Sequence, residues 1–193
     1  MIYILIPTTK ERRSRLDDLL ESLRKNDFPH TTCIYENNEG AVKAIHKMME
    51  GINGLMMPLC DDHVLSPDYL EKLCTAYHKV FPDNEGIAQG YNQIQKGRLL
   101  QNVLCHSDIC KKYFYKGYIH SFVDTEFTEV VKIKGIPYLY VPEAIAEHRH
   151  VTNKDRSLMD ETYRMAAENL EIDRQLFYKR KAKGFTPLND EII

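Results

Sequence analysis

Leu55-Met56-Met57-Pro58-Leu59-Cys60-Asp61-Asp62 carries an apolar run into a pair of carboxylates, and Ser66-Pro67-Asp68 follows at once. A short apolar run bounded by turn residues reads as a buried strand. Serine followed by proline reads as the cap and first position of a helix, here with the apolar stripe Leu70, Leu73, Tyr77 and Val80. Upstream the same alternation appears twice. Ile2–Ile6 is a β-branched strand ended by Pro7, and Leu16, Leu19, Leu20 and Leu23 follow at helical spacing until Asn26-Asp27-Phe28-Pro29. Thr31–Tyr35 is the next strand, ended by Glu36-Asn37-Asn38-Glu39-Gly40, and Val42, Ile45 and Met49 mark the helix after it. This pattern over the first 80 residues predicts a parallel α/β sheet with right-handed crossovers.

The second half is less regular. Ile87–Gln93 and Leu99–Cys105 read as strands with a hairpin around Lys96-Gly97, residues 107–116 as a short helix, and Asp124–Lys134 as a helix with Phe127, Val130 and Val131 inward. Tyr138–Val141 and Ala144–Glu147 read as two short strands. Met159, Tyr163, Ala166, Leu170 and Phe177 predict a long amphipathic helix.

The 193 residues, 43% hydrophobic and 28% charged, are ordinary for one globular domain, which sets aside disorder and coiled coil. No apolar run approaches the roughly 20 residues of a membrane helix, and the N-terminus has no signal-peptide pattern. Five cysteines without a CxxC point to a reduced, cytoplasmic setting. A net charge of -2 supplies no global pull toward nucleic acid, although Arg174–Lys183 is locally basic. That run either complements a helix C-terminus or contacts a polyanion.

In open parallel sheets ligands bind beyond the carboxyl ends of the strands. Those ends read Pro7-Thr8-Thr9-Lys10, Glu36-Asn37-Asn38 and Cys60-Asp61-Asp62-His63. The first has no glycine, so neither a dinucleotide fingerprint nor a P-loop is present. Asp61 and Asp62 repel one another unless solvated or neutralised, and oxygen donors beside a diphosphate suit Mg²⁺ or Mn²⁺. Asp124 and Glu126 open a helix, where acids also complement the dipole. In Glu147-His148-Arg149-His150, strand alternation sends both histidines to one side. The remaining histidines, His120 among them, read as incidental.

Taken in order, these segments resemble family 2 glycosyltransferases of the GT-A fold. The likeness rests on Ile4-Leu5-Ile6-Pro7-Thr8-Thr9, Glu36-Asn37-Asn38, Cys60-Asp61-Asp62-His63 before Ser66-Pro67-Asp68, Val123-Asp124-Thr125-Glu126-Phe127, Lys134-Gly135-Ile136-Pro137, Val141-Pro142-Glu143-Ala144 and Glu147-His148. The resemblance implies a metal-dependent, inverting transfer of a sugar from a nucleoside diphosphate, with UDP-sugar as donor and Mn²⁺ or Mg²⁺ as cofactor. By the same likeness, Pro7, Thr8, Thr9, Arg13, Glu36, Asn38 and Asp61 would hold the nucleotide, and Asp62 and His148 the metal. Asp124 would be the general base, with Glu126 the substitute. Two departures stand out: Cys60 replaces the first acid of a DxD, and the base segment reads Asp-Thr-Glu instead of a Glu-Asp pair.

Residues 1–150 would form the catalytic core, and 151–193 a helical tail packed on it or on a partner, leaving a homo-oligomer open. The tail looks similar to that of small phage and bacterial members, some of which decorate modified DNA bases. That likeness adds DNA to the acceptors left open, which are otherwise a glycan or a small hydroxyl compound. Two rival readings are a metal-dependent phosphoesterase built on Asp61, Asp62, His63, His148 and His150, and an inactive nucleotide-binding module.

Overall fold

A computed structural model describes residues 1–151 and 159–189. Three parallel strands, β1 (Ile2–Thr8), β2 (His30–Glu36) and β3 (Leu55–Pro58), alternate with α1 (Arg13–Arg24) and α2 (Ala41–Met49), as the sequence predicts. The chain continues through β4 (His63–Leu65), α3 (Tyr69–Val80), β5 (Ile87–Asn92), β6 (Leu104–His106), α4 (Ser107–Tyr113), α5 (Val123–Lys134), β7 (Tyr138–His148) and α6 (Glu161–Lys181). The seven strands form one sheet in the order β2-β1-β3-β6-β5-β7-β4. β6 and β4 run against the other five.

Alternation along β1 divides the core. Ile4 and Ile6 face Leu16 and Leu19 of α1 and Leu70 and Leu73 of α3. Leu5 faces the opposite side with Val42 and Ile45 of α2, Phe127 of α5 and Phe177 of α6. Each large aliphatic chain buried this way contributes about 1.5–3 kcal/mol. Both faces of the sheet are covered, so the carboxyl ends of the parallel strands are left to open at one rim.

Four expectations are revised. The two strands expected over residues 138–147 are one strand, β7, whose register shifts where Gly90 meets Tyr91 on β5. A Cβ on Gly90 would lie 2.6 Å from the Ala144 carbonyl oxygen, so this close approach needs glycine. The short edge strand β4 lies in the turn-like stretch after Asp62 and pairs antiparallel with β7, setting His63 opposite His148. Of the strand expected over Leu99–Cys105, only Leu104 and Cys105 are extended pairing residues, continued by His106. Before them, side chains replace the ladder: Gln89 donates to the Leu99 carbonyl at 2.6 Å and the Leu100 amide donates to the Thr128 hydroxyl at 2.8 Å.

The fourth revision concerns the cap of α3. The helix begins at Tyr69, and its Leu70 amide donates to the Asn26 side chain at 2.9 Å. Ser66 turns its hydroxyl to Asp68 instead. Asn26 and Ser22, both buried at the end of α1, thereby tie that helix to α3 and to the Leu65 amide of β4.

α6 packs on the core with a face unlike its apolar pattern. Its buried residues are Asp173, Phe177 and Arg180, while Leu170 is partly exposed. Asp173 accepts from the backbone amides of Ile119, His120 and Ser121 at 3.0, 2.9 and 2.7 Å. Arg180 enters the interior to meet Glu126. The basic run is thus partly consumed within the chain, with Lys181 on Glu129 and Arg174 on Glu171.

Candidate active site

The rim holds one cleft with two lobes that share Ala41, Cys60 and His120. The smaller lobe, about 50 Å³, lies over the ends of β1 and β3 and is lined by Pro7, Thr8, Thr9, Arg12, Asn37 and Asp61. The larger, about 390 Å³, is bounded by α2, the Leu99–Val103 loop and the start of α5, with Asp124, His63 and His148 on its wall. α2 enters at Gly40, whose φ of 104° and 2.6 Å gap from a built Cβ to the Ile119 carbonyl exclude a side chain.

Asp61 and Asp62 are both buried. Asp61 accepts from the Thr8 hydroxyl at 2.7 Å and pairs with Arg12. Burial raises its carboxyl to about 6 against the downward pull of Arg12 and Thr8, so it is ionised at neutral pH. Asp62 Oδ2 accepts from the Tyr163 hydroxyl at 2.7 Å. Its Oδ1 lies 3.2 Å from His63 Nδ1 and 3.4 Å from His148 Nε2, without an aligned hydrogen bond among the described residues. Burial works to raise the Asp62 carboxyl, but contact with His148 and His63 outweighs it and holds the group well below the usual range. Desolvation pushes His148 down, which favours the neutral, ligating form of its ring.

The two imidazoles stack with centroids 4.1 Å apart, and Asn102 lies 2.8 Å from His63 Nε2, which fixes that ring. Asp62 with Cys60 and His63 makes a mixed oxygen–nitrogen–sulfur group, and His148 Nε2 lies 3.4 Å from Asp62 Oδ1 beside it. A buried carboxylate oxygen lacking an aligned hydrogen bond among such groups fits a divalent cation, and the imidazole favours Mn²⁺ over Mg²⁺.

Asp124 stands at the start of α5 and lines the larger lobe. Gln101 donates to its Oδ2, and the Thr125 amide donates to Oδ1 at 2.8 Å. These contacts aim the carboxylate into the cleft.

The other expected residues divide. Pro7, Thr8, Thr9 and Asp61 gather at the smaller lobe. Arg13 does not: it points outward, 72% exposed, and pairs with Asp17, because a 3-10 turn at Lys10–Arg12 presents Arg12 inward. Glu36 and Asn38 are exposed and lie outside both linings, where Asn37 takes the wall position. Glu126 is 1% exposed and faces away from the cleft, held by Arg180 and Tyr118. The helical period turns Glu126 inward from Asp124, so it sits too far round α5 to replace it.

Several site residues were not legible in the sequence. Arg12 and Tyr163 reach the acid pair from two distant segments, and Asp160 joins them by pairing with Arg12. His120 walls both lobes, and burial lowers its pKa.

No protein-family model matches the chain, and a search of characterised proteins finds no match. Among solved structures, S. aureus TarS residues 1–349 with UDP-GlcNAc is similar over 85% of this chain and 64% of that one, with a TM-score of 0.57 at 12% identity. The same TarS residues with UDP are similar over 78% and 58%, with a TM-score of 0.51 at 12% identity. A longer TarS structure is similar over 77% and 36%, with a TM-score of 0.57 at 12% identity. The chain thus spans less than two thirds of the TarS chains it resembles. The likeness shows the fold, a mixed α/β arrangement of GT-A type.

Proposed function

We propose that the protein is a nucleotide-sugar glycosyltransferase acting by inversion. One observation carries this reading: Asp124 and His148, distant in sequence, line one cleft at the strand ends of a GT-A-type sheet, with the buried Asp62 directly behind His148. The UDP and UDP-GlcNAc complexes of the TarS structures support a uridine diphosphate sugar as the donor class.

In this reading the nucleotide lies over Pro7, Thr8 and Asp61 in the smaller lobe, and the acceptor hydroxyl enters the larger one. Asp124 removes the acceptor proton as that oxygen bonds to the anomeric carbon and the bond to the diphosphate oxygen breaks. Gln101 keeps the carboxylate aimed along that line. Asp62 and His148 hold a divalent cation, with His63 and Asn102 orienting the pair. That cation, when bound, offsets charge on the departing diphosphate. Thr8 keeps Asp61 facing the ribose side.

The experiment is UDP release from a panel of UDP-sugars with Mn²⁺, with a generic phosphodiester as a parallel arm. Mn²⁺-dependent release that Asp124→Asn removes is the expected result. Cleavage of the phosphodiester alone would replace this reading with the phosphoesterase.

A further inference from the structure

The smaller lobe is about 50 Å³, whereas sites for ligands of nucleotide size run to roughly 300 Å³ or more. Its shortage has a visible cause. Thr162 and Met165 of α6 line the lobe, and the Thr162 hydroxyl lies 3.4 Å from that of Thr9. Beside them Asp160 Oδ2 lies 3.0 Å from Arg12 Nε and 3.1 Å from Arg15 Nη2, one oxygen shared by two guanidiniums. Both guanidiniums also stand over the Tyr163 ring, 5.0 and 5.2 Å from its centre. Tyr163 in turn donates to Asp62.

A carboxylate bridging two arginines occupies the geometry in which guanidiniums take phosphate oxygens. Charge makes that occupancy exclusive. Arg12 and Arg15 face Asp61, Asp62 and Asp160, so a diphosphate arriving with Asp160 in place would meet an excess of negative charge. We propose that Arg12 and Arg15 form a diphosphate-binding site, which the Asp160 carboxylate fills until a nucleoside diphosphate displaces it with the first turn of α6. The anion site stands on this geometry, and its identification with the donor's diphosphate rests on the transferase reading.

The test is calorimetric titration of the full chain with inorganic diphosphate and with UDP, each with Mn²⁺. Asp160→Asn keeps the side-chain oxygen that caps α6 at the Tyr163 amide while removing the competing charge. Removing the competing carboxylate should tighten both ligands by about tenfold, because apparent affinity scales with the fraction of the site left open. Adding Arg15→Gln to that variant should reverse the gain by about tenfold. In the unaltered chain, either ligand should speed amide exchange over residues 161–165. Unchanged or weaker binding by Asp160→Asn would overturn the proposal. If inorganic diphosphate tightens while UDP binds no better than it, the anion site stands and the nucleotide-donor reading fails.

Discussion

Glu126 Oε1 meets Arg180 Nη2 at 2.7 Å inside the protein, with side chains 1% and 5% exposed. The Tyr118 hydroxyl donates to the same carboxylate at 2.7 Å, and the Arg180 fork also reaches the Phe185 and Pro187 carbonyls at 3.1 Å. This ion pair locks α6 to the start of α5, two residues from Asp124. Removing one partner from such a pair leaves a buried charge, so Glu126→Ala should cost about 3–5 kcal/mol in chemical denaturation. Glu126→Met combined with Arg180→Met should recover most of it. A loss under about 1 kcal/mol for the single variant would show that the pair is open to water.

Asp124→Asn keeps the shape and the Thr125 contact but cannot accept a proton. Turnover should fall roughly 10²–10⁴-fold while UDP affinity holds. Near-normal turnover would remove Asp124 from the chemistry.

Asp62→Ala should abolish the Mn²⁺ dependence of UDP binding, and His148→Ala should weaken Mn²⁺ by about 10–100-fold. Titration of the metal alone, followed by Mn²⁺ electron paramagnetic resonance, reads this without turnover. Identical titrations for both variants and the parent would exclude the assignment.

His46 of α2 packs toward the Phe114 ring, with its Nε2 unpartnered among the described residues. Burial depresses it to about 4, aided by Lys116. The unfolded chain therefore binds a proton that the folded one refuses between about pH 6.5 and 4. Stability falls as pH drops through that window, by about 2 kcal/mol from pH 7 to 5, and is untouched above it. His46→Gln should flatten that part of the curve in urea titrations. A parallel curve would mean that His46 titrates normally.

The first three strands and two helices were legible because period and punctuation are local: an apolar run ended by Pro7 or by Asp61-Asp62 has one reading. β4 escaped because a three-residue edge strand gains its identity from β7, its partner. The cap of α3 escaped for the same reason, since Asn26 supplies it from another helix.

The pairs Asp61–Asp62, Asp124–Glu126 and His148–His150 stood out in the sequence by chemistry and by position at element ends, and the family resemblance chose among them. Arg12 and Arg13 are indistinguishable there, and only the 3-10 turn before α1 decides which enters the site. Likewise Asp124 and Glu126 are equal as first-turn acids until α6 brings Arg180 against one of them. Sequence alone determined the α/β alternation and the rim where the acids and hydroxyls gather, because those follow from periodicity and from where strands stop. Tertiary structure decided which acids and cations face one another, because burial and pairing depend on segments more than a hundred residues apart, as Arg12 and Asp160 are.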